Sequence, residues 1–125
     1  MIVGDVAATR EIMVSLAVRG ANGASLAVRA VVDTGFGGHL MIPPATVTAL
    51  GLTQSGTVPV ILGDGTEAYL PEYKAVVVWD GRDRIIPVYA SSDDSDPLVG
   101  MELLYGFDFH VHVVDGGMVA LNRLP

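Results

Sequence analysis

Cysteine is absent from the 125 residues, which excludes disulfides and thiolate metal sites while leaving the redox compartment open. Basic residues are scarce: 7 Lys and Arg against 14 Asp and Glu give a formal net charge of -7. That excess argues against nucleic acid or an anionic membrane surface as a partner. Aromatics make up only 6% of the chain, so Trp79, Tyr69, Tyr73 and Tyr89 read as packing or cleft residues rather than as a base-stacking platform. Half the residues are hydrophobic, yet no uninterrupted apolar run is long enough to span a bilayer. The opening Met1-Ile2-Val3-Gly4-Asp5 has no basic segment leading into an apolar core. A soluble, cytoplasmic, single-domain protein covering residues 1–125 is expected on these grounds.

Alternation of apolar and polar residues dominates the pattern. Ile12, Val14, Leu16 and Val18 form one alternating arm and Leu26, Val28, Ala30 and Val32 a second, with Gly20-Ala21-Asn22-Gly23-Ala24 between them. Asp64-Gly65, Asp80-Gly81 and Asp115-Gly116-Gly117 are further turn signals, because glycine accepts the positive φ of tight hairpins. Val58 to Leu62 is expected to pair with Glu67 to Leu70, and Val76 to Trp79 with Arg84 to Tyr89. Pro59, Pro71 and Pro87 point to edge positions or irregular pairing. Two short helices are predicted, Pro44 to Leu50 stopped by Gly51, and Met101 to Tyr105 bounded by Gly100 and Gly106. The fold class is therefore all-β with one or two short helices.

The chain's best candidate for chemistry is Val31-Val32-Asp33-Thr34-Gly35, a carboxylate where an apolar strand breaks into a turn. Taken alone, Asp33 would simply cap that turn through nearby backbone amides. Gly35-Phe36-Gly37-Gly38 fails as a phosphate loop, since Leu40 stands where a third glycine is needed and Pro43-Pro44 delays any helix. The acidic run Ser91-Ser92-Asp93-Asp94-Ser95-Asp96 lacks the glycine and terminal glutamate of a calcium loop and reads as an exposed loop. Asp108, His110 and His112 alternate on a probable strand and would share one face, a metal-ligand spacing. Their partners Phe107, Phe109, Val111 and Val113 would face the core, which leaves the polar trio on the surface without need of metal. His39 is too distant in the chain to be assigned as a further ligand.

In combination, Val31-Val32-Asp33-Thr34-Gly35-Phe36, the glycine hairpin Leu62-Gly63-Asp64-Gly65-Thr66 and Leu98-Val99-Gly100 before a short helix resemble the retropepsin-like aspartic proteases. The likeness is greatest to the small prokaryotic single-domain members in which phenylalanine follows Asp-Thr-Gly, and it runs from about Ile12 to Leu121. It implies a closed β-barrel in which each chain contributes half an active site, so that a homodimer joins one Asp33 from each subunit into a catalytic dyad acting on a peptide or protein substrate without a cofactor. By the same likeness Thr34 would hold the dyad across the subunit boundary and Gly35 would let the backbone approach the carboxylates. Gly100 would let the later loop pack behind Asp33, with Leu98 and Val99 filling the core around it. Gly63, Asp64 and Gly65 would form a flap over the substrate, although glycines there also suit an ordinary hairpin. Phe36 stands where alanine or serine is more usual and would give the carboxylate an apolar wall. Two other readings are a catalytically silent domain that dimerises or binds peptides, and a metal-binding β protein using His110 and His112.

Overall fold

The computed structural model describes residues 1–61 and 63–125; Leu62, expected to close the first arm of a hairpin, lies outside the described residues. Among the described residues, ten strands share one hydrogen-bonded sheet. In chain order they are β1 (Ile2–Val6), β2 (Ile12–Arg19), β3 (Ser25–Val32), β4 (Leu40–Ile42), β5 (Gln54–Ile61), β6 (Glu67–Trp79), β7 (Arg82–Ala90), β8 (Leu98–Val99), β9 (Phe107–Val111) and β10 (Met118–Arg123). Two short α-helices among the described residues interrupt them, α1 (Pro44–Leu50) and α2 (Met101–Leu104), and one 3-10 turn (Ala21–Gly23) joins β2 to β3. Spatially the strands run β5-β6-β7-β4-β8-β3-β2-β1-β10-β9, and a further pairing of β6 with β2 joins the ends of the β6-to-β2 stretch into a ring. Closure of this kind removes exposed edges from the paired strands.

The expected β2–β3 hairpin is present, with Leu16 opposite Val28 and Val14 opposite Ala30. These four residues are buried, as the two-residue period of a strand requires when one face is turned inward. Pro44 begins α1 at its first turn and Gly51, at φ 63°, ends it, while Val47 and Leu50 carry the helix onto the core. At the β6–β7 turn Asp80 and Gly81 both have positive φ, 53° and 73°, the geometry that matches the twist of a two-residue hairpin. Trp79, just before it, is buried, and its indole N–H donates to the Leu103 carbonyl at 3.0 Å. The largest core residue thereby ties β6 to α2.

Three sequence expectations change. The two expected hairpins share one long strand, since β6 runs unbroken through Pro71. Proline is tolerated there because, among the described residues, β6 at that point is paired only with β5; its pairing to β7 begins at Glu72. Pro59 lies on β5, at the end of the strand order, and Pro87 lies one residue before β7 gains β4 as its second neighbour. Helix α2 ends at Leu104, with Tyr105 as its cap. Val113 does not face the core: β9 stops at Val111, the chain turns where the Val114 amide meets the His112 carbonyl, and Val113 is left 72% exposed. Among the described residues no helix is long and apolar enough to cross a membrane.

Candidate active site

Asp33 is carried to its place by β3, which runs parallel to β8 with Val32 beside Val99. The ladder extends one residue past the strand, where the Asp33 amide donates to the Val99 carbonyl at 2.9 Å. A tight turn follows, closed by the Phe36 amide on the Asp33 carbonyl at 3.1 Å. Within it the Gly35 amide donates to Asp33 Oδ1 at 2.8 Å. The turn-capping geometry that the sequence suggests for an isolated Asp33 is thus real, and it holds the half-buried carboxylate in one orientation. A side chain at position 35 would bring its Cβ to 3.2 Å from that same oxygen.

Behind the turn, residues 36–39 lie across the start of α2. The Met101 amide donates to the Phe36 carbonyl at 2.9 Å, Glu102 to Gly38 at 3.1 Å and Gly100 to His39 at 3.0 Å. Amides at a helix start have no partners inside the helix, and here loop carbonyls supply them in place of a capping side chain. The fit depends on glycine. A Cβ on Gly100 would overlap the Gly38 carbonyl oxygen and come within 2.7 Å of the Phe36 carbonyl oxygen, and one on Gly38 would reach 2.6 Å from the Phe36 ring.

A cleft of about 640 Å³ opens in front of Asp33. Gly35, Phe36, Met41 and Leu98 line it on the Asp33 side, while Val60, Ile61 and Gly63 line it from the β5–β6 hairpin. Next to it a hollow of about 320 Å³ is lined by Gly37, by Gly38 and Tyr89, which pack together, and by Pro59 of β5. The Phe36 and Tyr89 rings meet edge to face there, with centroids 6.0 Å apart. Burial, assisted by the charges of Glu72 and Glu102, pushes the Tyr89 hydroxyl pKa up.

The structure brings Asp33, Gly35, Phe36 and Gly63 to one cleft, with Gly100 directly behind. Thr34 is exposed and outside the cleft lining. Asp64 and Gly65 sit at the hairpin tip, also outside it. There the Asp64 carboxylate accepts from the Thr66 hydroxyl at 2.6 Å and the Thr66 amide at 2.9 Å, contacts that hold its pKa below the usual carboxylate value. Leu98 corrects an expectation: Val99 is fully buried, but Leu98 is half-buried and forms cleft wall rather than core. Met41, Val60 and Ile61 were not singled out from the sequence. For Val60 and Ile61 the signal was available, as they adjoin the glycine hairpin; Met41 owes its place to the pairing of β4 with β8, which no local pattern announces.

His110 and His112 face each other with ring centroids 5.4 Å apart, but no cluster of three or more His, Cys, Asp or Glu residues suited to a metal forms among the described residues. His39 is half-buried beside the loop, and burial pushes its pKa down.

No family model matches the chain, and no curated protein matches it. Among solved structures it is similar to the crystal structure of a retropepsin-like aspartic protease from Rickettsia conorii, with a TM-score of 0.66 and 21% identity over 98% of this chain and 89% of that one. The two share a fold: the mostly β architecture with two short helices is retropepsin-like.

Proposed function

We propose, starting from that shared fold, that the chain is an aspartic endopeptidase that works as a homodimer with one Asp33 from each subunit at the centre. The observation that carries this reading is that Asp33 is the one carboxylate among the described residues lining the cleft, held rigidly on its turn and facing a hairpin across it. Two such carboxylates brought together across a symmetry axis cannot both ionise readily, so they share a proton. The ionised member takes a proton from a water, which attacks the scissile carbonyl carbon as the protonated member donates to the carbonyl oxygen. Collapse of the tetrahedral intermediate then breaks the C–N bond, with a proton passed to the leaving amine. The two copies are equivalent by symmetry, so neither keeps one role.

The supporting parts follow from this assignment. Thr34, exposed in the single chain, is available to bond across the subunit boundary. The hairpin ending in Gly63, Asp64 and Gly65 acts as a flap, its strands offering backbone groups to an extended peptide. Phe36 and Leu98 form apolar walls for the side chains on either side of the scissile bond. The mechanism calls for no cofactor.

Pure protein is tested on an unstructured polypeptide across acidic and neutral pH, beside the Asp33→Asn variant. Cleavage by the wild-type protein and its loss in the variant are expected; unchanged cleavage by the variant sinks the mechanism. Peptide binding without turnover by the wild-type protein would instead identify a silent peptide-binding domain.

A further inference from the structure

Beyond Leu98 and Met41 a second, separate hollow adjoins the cleft. Strand register sets Met41 beside Leu98 and Leu98 beside Val31, so the three stand in a row on one face of the sheet. Met41 and Leu98 wall the Asp33 cleft, and together with Val31 and Leu70 they also form the apolar floor of a second hollow of about 350 Å³. The rim of this hollow has another character, carrying Glu11, Asp93 and Asp96.

No Lys, Arg or His pairs with any of these three carboxylates among the described residues, whereas Asp5, Asp80 and Asp83 all have ion-pair partners. The rim is also anchored. The Ser91 amide donates to the Ile42 carbonyl at 2.9 Å and the Val31 amide to the Pro97 carbonyl at 2.8 Å, fixing both ends of the loop. Inside it the Ser95 amide and hydroxyl donate to Asp93 Oδ1, which holds the Asp93 pKa below the usual value and keeps it charged. On the other bank the Thr9 hydroxyl donates to Glu11 at 2.8 Å.

An apolar trough that ends in unpaired carboxylates matches a side chain with a long hydrocarbon stem and a cationic head. A leucine would cover the floor and leave the charges unmet, and an acidic side chain would be repelled. We propose that this hollow is a substrate subsite selective for lysine or arginine, with Glu11, Asp93 and Asp96 as the specificity-determining residues. The proposal rests on the cleft being a peptide-binding site, and its test separates the two.

Binding to the Asp33→Asn protein is measured by fluorescence anisotropy with unstructured peptides in which one lysine is moved through the sequence, each beside a twin carrying norleucine at that position. One position is expected at which lysine binds about fivefold tighter than norleucine, the size of a few partly exposed charge contacts. That advantage should vanish in about 0.5 M salt and in the Asp93→Asn/Asp96→Asn variant, its folding checked by circular dichroism. Glu11→Gln, which leaves the loop untouched and keeps an acceptor for Thr9, should reduce it independently. Peptides that bind with lysine and norleucine equivalent at every position overturn the subsite, as does a lysine preference equal at all positions, which reports only the net charge of the chain. Failure of every peptide to bind overturns the peptide cleft itself, and the subsite with it.

Discussion

Gly100 lies against Gly38 so closely that even a methyl group on it would overlap the Gly38 carbonyl oxygen. The Asp33 turn and the start of α2 are therefore held together by the absence of two side chains. Gly100→Ala should destabilise the fold by about 3 kcal/mol, the upper range for forcing an extra carbon into a packed site whose neighbours are backbone. Urea unfolding of the variant measures this directly, and a change below about 0.5 kcal/mol would show that the loop yields.

If the dyad spans two subunits, one defective copy should silence its partner. Under subunit exchange, an equal mixture of wild-type and Asp33→Asn chains leaves only about one quarter of dimers fully wild-type. Activity per wild-type chain should then fall to about half. Activity that stays proportional to the wild-type chains alone would place the whole site in a single subunit.

Ile61 is 71% exposed on the hairpin yet lines the Asp33 cleft. Ile61→Ser should leave unfolding stability within about 0.5 kcal/mol and raise KM for a peptide about fivefold through lost apolar contact. A variant with wild-type KM would remove Ile61 from the substrate surface.

His39 gives the fold a sensitivity to acid. Burial holds its pKa below its ordinary value of 6.5; the nearby Glu102 charge opposes the shift and Arg84 adds to it. A depressed pKa in the folded state means that the contribution to stability is complete above about pH 6.5 and is lost as pH falls through the folded value. The melting temperature of the wild-type protein should accordingly drop further between about pH 7.5 and pH 5 than that of His39→Gln. Parallel curves for the two proteins would rule out His39 as the source.

Local chemistry made much of this molecule legible from its sequence. Proline at the start and glycine at the end delimit Pro44 to Leu50 as the helix that forms, and Asp80-Gly81 announces its turn because few other pairs accept two positive φ values. The order of Asp33, the glycine hairpin and Gly100 led to the fold. What stayed hidden depends on partners distant in the chain. Leu98 looks like core among its apolar neighbours, and only the placement of β8 between β3 and β4 decides which face of a two-residue strand meets the cleft. Pro71 points to an edge position and holds one, but Leu70 and Val76 read as the bounds of two separate strands because the local pattern does not show that β6 runs unbroken between its two hairpins. Val113 continues an alternation whose strand has already ended, since a pattern of side chains carries no record of where pairing stops.

Strand β6 acts as a beam clamped at one end. From Glu72 onward it is gripped by β7, and from Val76 to Val78 by β2 as well; before Glu72, among the described residues, only β5 accompanies it. The register of β5 shifts between Gln54 and Gly56, opposite Glu72 and Tyr73, which interrupts the ladder at the root of the overhang. If the hairpin moves over a bound peptide as proposed, its hinge is expected at that root, so that Val60, Ile61 and Gly63 travel together while the Asp33 turn keeps its place.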